Sequence, residues 1–213
     1  MLLKGVEYAH SPQKQKLDLL LARGATPLAL GARLAVKGFL ASDHPELNVF
    51  YEEKRAGAND EEFVIKKFQT LDPNTLESLG PWADFLRQHG IDELAQVDNI
   101  KEGNMSFVAR RPLWAEELEE LFDKGSPRLV QRYRTLVLPT KGGLVSSYAM
   151  YAHTQYSEDA NQYDKRLECD IKDVIDGSVV YDLRLVASLA AAAAVGRMKF
   201  GRIELGGGEN NGA

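Results

Sequence analysis

The stretch from Arg132 to His153 is the part of the sequence that most constrains the fold. Two runs rich in residues that favour strands lie on either side of a Lys141-Gly142-Gly143 turn, and this arrangement is typical of a β-hairpin. The shorter elements before it then form the rest of a small domain of sheet and helices that closes on the hairpin. If the two strands of the hairpin are neighbours in a sheet of about five strands, the chain forms such a domain. If they form an isolated two-stranded arm, the chain is part of a larger assembly.

Helix signals occur on both sides of the predicted hairpin. Ser11 is a good helix N-cap, and Pro12 suits the first helical position because its missing N–H has no helical partner there. Gly24 ends this first helix. After Pro112, apolar residues recur at helical spacing while glutamates lie on the opposite face, which predicts an amphipathic helix. The predicted helices include residues 11–24, 27–40, 45–55, 82–88, 112–124, 128–131 and 182–199, and alternation predicts a strand over residues 104–110.

Composition and charge exclude several classes of protein. The chain has 213 residues, of which 44% are hydrophobic and 27% charged, as in ordinary folded soluble proteins. Its net charge of −5 argues against a dedicated nucleic-acid binder. A single cysteine, Cys169, excludes an internal disulfide and a multi-cysteine zinc site, and it favours a reducing compartment.

The sequence also lacks the usual signs of export or membrane insertion. Its first residues do not follow the order of a signal peptide. The longest apolar run, from Leu185 to Val195, is interrupted by Ser188 and is far shorter than the ~20 residues that a membrane span needs. We therefore expect a cytoplasmic protein with no membrane span.

Three short segments resemble a divergent bacterial PAS-type sensory domain. They are the Phe50–Arg55 segment, the Leu71-Asp72-Pro73 segment with Leu76 after it, and the Tyr133–Pro139 segment followed by Gly142-Gly143. In that subgroup an aromatic helix with a basic end precedes a helix that begins at Asp-Pro, and a late strand pairs with the final strand. The resemblance covers residues 45–155, and it departs from the family in lacking two early paired strands.

The resemblance implies an α+β fold. Its core is a PAS-like antiparallel sheet of about five strands with flanking helices, and N- and C-terminal helices are added to it. The predicted organisation is a helical extension over residues 1–42, a PAS-like core over 43–155, a helical segment over 156–205 and a flexible tail over 206–213.

The resemblance further implies a non-catalytic regulatory protein that binds a small molecule, a protein partner or a second copy of itself. Two alternatives stay open: an accessory subunit of a larger assembly, and an enzyme with an unfamiliar site. The sequence contains no nucleophile elbow, no dinucleotide fingerprint and no phosphate loop. It thus predicts no catalytic residue and no metal site, and it identifies no cofactor.

Candidate site residues come from the predicted faces. His153 and Tyr151 lie in phase on the predicted second strand, where they can hydrogen-bond a polar ligand; a histidine satisfied at a strand end is the alternative. Arg110 and Arg111 belong to the most basic region, which fits a phosphate or acidic partner or ordinary surface arginines. The predicted ligand-binding residues are Trp114, Tyr148, Tyr151 and His153. The predicted interface residues, for which core burial is the alternative, are Leu17, Leu20, Leu185 and Leu189.

Overall fold

The computed structural model describes residues 2–154 and 161–194 and shows a mainly helical protein. Its helices are α1 (Leu2–Ala9), α2 (Pro12–Asp43), α3 (Pro81–Gln88), α4 (Gln96–Lys101), α5 (Ala115–Lys124), α6 (Pro127–Leu136), α7 (Ser147–Thr154), α8 (Gln162–Ile175) and α9 (Val179–Ala194). Its strands are β1 (Phe50–Ala56), β2 (Glu62–Phe68), β3 (Ser106–Val108) and β4 (Gly143–Val145), and 3-10 turns cover Ala58–Asp60 and Asp92–Ala95.

Helix α2 is one continuous helix of 32 residues, where the sequence predicted two. It begins as predicted, since the Ser11 side chain accepts a hydrogen bond from the Lys14 backbone N–H and Pro12 follows the cap. Pro27 lies inside the helix and removes one backbone donor. The helix continues because turns on both sides of the proline are anchored by Ala22 and Val36, which are fully buried.

Much of the apolar surface of α2 is not covered by the rest of the chain. The helix is long and apolar enough to cross a membrane, and only 11% of its most apolar 18-residue window is buried. An ordinary surface helix turns its apolar stripe toward the core instead. Sequence patterns missed this stretch because Gly24 and Pro27 divide it into two shorter pieces. The large apolar residues exposed on α2 are Leu20, Leu28, Leu30, Leu34 and Phe39.

Strands β1 and β2 form an antiparallel hairpin in the region where a helix over residues 45–55 was predicted. Phe50 pairs with Phe68 and Ala56 with Glu62. The helix prediction is wrong because the side chains follow a period of two, with Arg55 buried and Lys54 exposed.

The predicted hairpin over residues 132–153 is also wrong. Its first run lies mostly in α6, because Ser126-Pro127 begins a helix in which Tyr133 is buried and whose C-cap, Val137, is buried four residues later on the same side. Its second run is divided between the short strand β4 and helix α7. Strand β4 pairs with β3 in parallel. Within the described residues the strands form two sheets of two strands each, so the predicted sheet of about five strands is wrong.

Several predicted elements are nonetheless present. The amphipathic helix after Pro112 is confirmed as α5, with Leu118 and Leu121 buried. The strand predicted over residues 104–110 contains β3, and the last predicted helix contains most of α9. The division of the chain at residues 42, 155 and 205 stays a prediction, and the predicted tail over 206–213 lies outside the described residues.

A buried polar cluster joins α2 to the rest of the protein. The Lys14 ammonium donates to Asp18 Oδ1 at 2.9 Å, to Asp182 Oδ2 at 2.8 Å and to the Val108 carbonyl at 2.8 Å. Asp18 in turn accepts a hydrogen bond from the Phe107 backbone N–H at 2.9 Å. Because buried charges need partners, this cluster fixes the start of α2 against β3 and α9.

Candidate active site

Two adjacent carboxylates, Asp92 and Glu93, begin the 3-10 turn that follows α3. Helix α3 ends at Gln88, and Gly90 follows the cap with a φ of 63°, the left-handed conformation that glycine adopts without strain. The Ile91 backbone N–H then bonds back to the Leu86 carbonyl at 2.8 Å. This closure turns the chain sharply, and both acidic residues come directly after the turn.

Strand β2 lies beside this turn because Asn99 binds its edge. The Asn99 side chain accepts a hydrogen bond from the Lys66 backbone N–H at 3.0 Å and donates one to the Val64 carbonyl at 2.7 Å. Asn99 is fully buried in α4, which directly follows the 3-10 turn. The Asn99 bridge therefore sets the position of Lys67 on β2 relative to Asp92 and Glu93.

Cationic side chains from two other elements face the carboxylate pair. Arg111 Nη2 lies 2.9 Å from Glu93 Oε1, and the arginine side chain keeps 46% of its surface exposed. Lys67 Nζ lies 3.2 Å from Glu53 Oε1 on β1. The site thus holds carboxylates and cations together at a surface that solvent still reaches.

The two adjacent carboxyl groups have opposite pKa shifts. Burial and the neighbouring Glu93 charge raise the pKa of Asp92 to about 7. Burial also acts to raise the pKa of Glu93, but the charges of Arg111 and Lys67 outweigh it and hold that pKa below its ordinary value. Carboxyl pairs whose pKa values are pushed apart are typical of catalytic sites. Near neutral pH, Glu93 is ionised while Asp92 exchanges its proton.

A second charged group supports the site from β1 and α5. The Arg55 guanidinium lies 3.5 Å from the centre of the Trp114 ring and is almost fully buried. Its Nε donates to Glu53 Oε1 at 3.1 Å, and its Nη1 lies 3.4 Å from Glu117 Oε2. Glu117 also accepts a hydrogen bond from the Trp114 backbone N–H at 3.1 Å. This network fixes Glu53, the residue that pairs with Lys67.

The predicted ligand-binding residues lie in two places. Trp114 is part of the Arg55 network beside the carboxylate pair. Tyr148 is buried in α7 with its ring 5.0 Å from the Arg166 guanidinium, and Tyr151 lies on the same helix. Arg166 donates to the Arg111 carbonyl at 3.2 Å. His153 is in α7, but its side chain lies outside the described residues. A ligand-binding role for these four residues stays a prediction.

The predicted interface leucines are placed differently from one another. Leu17 is buried, whereas Leu20 has 67% of its surface exposed. Leu185 and Leu189 are partly buried against a cluster that includes Leu21 of α2. An interface role for these residues stays a prediction.

Sequence patterns missed Asp92 and Glu93. Leu94, Val97 and Ile100 recur at helical spacing directly after them, so the acidic pair resembles the solvated start of an ordinary helix. One signal was available, because two adjacent acids follow a glycine that ends a helix. Arg111 belonged to the basic region noted above, but spacing alone did not connect it to an acidic pair 18 residues earlier.

A depression on the protein surface lies elsewhere, between α1, β3, α8 and α9. It encloses about 400 Å³ of space open to solvent, and its lining includes Tyr8, Lys14 and Asp182. Those groups already bind one another, since Tyr8 donates to Asp182 at 2.9 Å and Lys14 does so at 2.8 Å. The carboxylate pair is therefore the better candidate for chemistry. Over residues 2–154 and 161–194, no three His, Cys, Asp or Glu side chains converge as a metal site.

Comparisons with known proteins agree on one family. The family model for bacterial sugar transferases matches residues 9–195. The chain is 27% identical over 184 residues to the UDP-N-acetylgalactosamine-undecaprenyl-phosphate N-acetylgalactosaminephosphotransferase of Aeromonas hydrophila. The aligned region covers 81% of this chain and 41% of that protein.

Two further relatives are both named UDP-glucose:undecaprenyl-phosphate glucose-1-phosphate transferase. The one from Xanthomonas campestris pv. campestris is 24% identical over 85% of this chain and 38% of its own length. The one from Caulobacter vibrioides is 29% identical over 82% of this chain and 67% of its own length. The chain thus spans about two fifths of the first two relatives.

These findings correct several expectations drawn from the sequence. The PAS resemblance is wrong, because a sugar transferase family covers most of the chain. The predicted non-catalytic sensory function is wrong for the same reason, and of the alternatives the enzyme with an unfamiliar site fits. The cytoplasmic prediction is contradicted by relatives named for undecaprenyl phosphate, a lipid, and by the apolar helix α2.

Proposed function

This chain belongs to the bacterial sugar transferase family, and we propose that it transfers a sugar 1-phosphate from a UDP-sugar to undecaprenyl phosphate. The family match supports the reaction class, and the relatives' names supply the donor and acceptor. The observation that carries the proposal is the pair Asp92 and Glu93 facing Arg111 and Lys67, a set of groups suited to a diphosphate.

Asp92 is proposed as the nucleophile. The acceptor is a phosphate whose second pKa is about 6, so its attacking oxygen needs no general base at neutral pH. A carboxylate in the site is then better used to form a covalent intermediate. With a pKa of about 7, Asp92 is available in its ionised form and is more basic than an ordinary aspartate.

The proposed reaction has two displacements at the phosphorus that bears the sugar. In the first, an Asp92 oxygen bonds to that phosphorus, the diphosphate P–O bond breaks and UMP leaves with the bonding electrons. In the second, an oxygen of undecaprenyl phosphate bonds to the same phosphorus, and the acyl-phosphate bond breaks. Asp92 returns to a carboxylate, and no net proton transfer is required.

The cations beside the carboxylates would stabilise the phosphate charge that moves during both steps. Arg111 is oriented by Glu93 at 2.9 Å and remains half-exposed, so part of its guanidinium faces the solvent from which a donor enters. Arginine binds phosphate oxygens through two parallel hydrogen bonds, and Lys67 adds a second positive charge. Preorganised charges of this kind usually give the largest single contribution to catalysis.

A Mg²⁺ ion fits the same donors. Proteins commonly hold this ion through one or two carboxylates together with the phosphates of the substrate. Glu93, the carboxylate that stays ionised, would supply the protein ligand here, and the ion would neutralise phosphate charge beside Lys67 and Arg111.

The exposed apolar face of α2 supports the lipid part of the proposal. Leu20, Leu28, Leu30 and Leu34 are each more than half exposed, and the charged residues between Asp18 and Asp43 are all basic. Apolar faces flanked by Lys and Arg are typical of segments that enter an anionic membrane. Membrane contact through α2 would bring the site to the surface where undecaprenyl phosphate resides.

Transfer of radiolabelled sugar from UDP-glucose and from UDP-N-acetylgalactosamine to undecaprenyl phosphate in detergent tests the proposal. We expect Asp92→Asn to lower kcat by at least about 10³-fold, because the nucleophile is lost. Asp98→Asn is the matched control, since Asp98 is an ion-paired aspartate on the neighbouring helix α4. Transfer by Asp92→Asn at the rate of the Asp98→Asn control would disprove the role given to Asp92.

The covalent step has its own test. Wild-type protein mixed with a UDP-sugar alone is expected to release UMP in a burst that does not exceed one equivalent of enzyme. Acid quenching should then leave labelled sugar phosphate on the peptide that contains Asp92. A reaction that releases no UMP until undecaprenyl phosphate is added would contradict the two-step scheme.

A further inference from the structure

Helix α9 is held against α1 and α2 at its start. Asp182 is nearly fully buried and accepts hydrogen bonds from Tyr8 and Lys14. Because a buried charge needs partners, this group anchors the start of α9, and the remaining three turns of the helix continue from the anchor.

The inner face of α9 packs on α2. Leu185, Val186 and Leu189 are partly buried in the same apolar cluster as the α2 residues Leu21 and Ala29. The two helices are therefore neighbours along the stretch of α2 that leads to its exposed leucines.

The outer face of α9 is apolar as well. Val180 has 56% of its surface exposed and Leu183 has 45%, and Ala187 continues the same face one turn further. Arg184 and Ser188 form a narrow polar strip. A helix that is apolar on both faces is usual in a protein core or a membrane and unusual against water. The outer face of α9 is therefore expected to contact another apolar surface, which would cover it.

The distribution of charge indicates the nature of that cover. Among the described residues, 19–42 and 183–194 contain four of the 26 basic residues of the chain and none of its 31 acidic residues. The rest of the chain carries 22 basic and 31 acidic residues. A second copy of this basic face would repel it, whereas an anionic bilayer attracts basic side chains and accepts apolar ones.

We propose that α9 is a second membrane-contacting helix, whose Val180, Leu183 and Ala187 side enters the headgroup region of an anionic bilayer beside α2. The inference rests on the proposed function only in taking the membrane as the place where the acceptor is met. Its consequence is that two helices joined by the Lys14–Asp182 ion pair set the height of the active site above the bilayer.

Vesicle binding by the full chain tests the α9 inference. Leu183→Glu and Ser188→Glu add the same charge to the same helix, one on the apolar face and one on the polar strip. With vesicles of phosphatidylglycerol and phosphatidylcholine, we expect Leu183→Glu to lower the partition coefficient about tenfold and Ser188→Glu by less than about threefold. Equal losses for the two variants, or no loss for either, would overturn the proposal.

A depth measurement provides an independent readout. In a Cys169→Ala background, a fluorophore on Leu183→Cys is expected to be quenched by spin-labelled lipids more strongly than one on Ser188→Cys. Equal quenching at the two positions would contradict insertion of the apolar side. A change from dimer to monomer in Leu183→Glu without vesicles would instead identify the face as a contact between copies and would overturn the proposal.

Failure of this inference is distinguishable from failure of the proposed function. Sugar-phosphate transfer in detergent micelles should be unchanged in Leu183→Glu, since α9 supplies none of the residues of the carboxylate site, and should show that the variant is folded. Absent transfer by the wild type would refute the proposed function, while the quenching result would still decide whether α9 contacts lipid.

Discussion

Asp92 and Glu93 are neighbours in sequence whose surroundings give them different tasks. Glu93 is paired with Arg111 and stays ionised, whereas Asp92 is raised to a pKa of about 7 by burial and by the Glu93 charge. Two carboxylates side by side cannot both ionise cheaply. The arrangement therefore keeps Glu93 ionised, so that it orients the Arg111 cation, and it leaves Asp92 beside it as the reactive carboxyl group.

A raised pKa for Asp92 makes this residue a source of pH-dependent instability. Below about pH 4 the Asp92 carboxyl is protonated in both the folded and the unfolded chain, so it does not lower the free energy of unfolding. As pH rises toward about 7, the unfolded chain loses this proton first, so stability falls and the full cost is reached above the folded pKa of about 7. Partial exposure of the side chain reduces that cost to about 1–2 kcal/mol.

We therefore expect Asp92→Asn to be more stable than the wild type by about 1–2 kcal/mol at pH 8 and equal to it near pH 4. Urea unfolding followed by circular dichroism at both pH values measures the difference. Asp98→Asn should change stability little at either pH, because its ion pair with Lys101 is partly exposed. An Asp92→Asn advantage that is the same at pH 4 and pH 8 would show that the carboxyl charge is not its cause.

At the scale of elements, the sequence predicted helices well where caps and amphipathic spacing agreed. Helix α5 has a clear amphipathic stripe and a glycine, Gly125, at its C-terminal cap, and it was found. The failures lie where a local pattern fits two structures. Leu136-Val137-Leu138 resembles a strand, yet Leu136 is the last residue of helix α6 and Val137 is its C-cap. A parallel pair such as β3 and β4 has no local signal at all, because its partners are more than 30 residues apart.

The close contact between β3 and β4 depends on a glycine whose role has no local signal in the sequence. A Cβ atom on Gly143 would lie 2.3 Å from the Ala109 backbone nitrogen. The glycine therefore serves close approach of backbones, whereas the sequence pattern suggested a turn. Likewise, nothing in the local sequence connects Asp92 with Lys67. The two are brought together by Asn99, which binds the backbone of the neighbouring Lys66.

The Lys14 cluster anchors α2, and its removal gives a prediction at this scale. We expect Lys14→Met to destabilise the protein by about 3–5 kcal/mol, because Asp18 and Asp182 stay buried without their cation. Lys16→Met is the matched control, since Lys16 is exposed two residues along the same helix. Urea unfolding measures both variants. Equal, small effects of the two changes would show that the cluster does not hold α2 in place.

At the scale of the whole molecule, charge and apolar surface are segregated together. The described residues 19–42 and 183–194 carry a net charge of +4, since they have four basic and no acidic residues, while the remaining 22 basic and 31 acidic residues of the chain give −9. An overall charge of −5 hides this division. The chain thus combines an acidic body with a basic apolar side formed by α2 and α9.

This segregation predicts that vesicle binding has two parts with different salt dependence. Attraction of the basic side to anionic lipid should weaken as salt rises, because the Debye length falls from about 10 Å at 0.1 M to about 3 Å at 1 M. Burial of the exposed leucines is not screened, so binding should level off at high salt and not vanish. Co-sedimentation from 0.05 to 1 M NaCl, at about these ionic strengths, measures both parts, and Leu34→Ser should lower the plateau while leaving the salt slope intact. Binding that disappears completely at high salt would mean that charge alone holds the protein to the bilayer and that the leucines of α2 face another occupant.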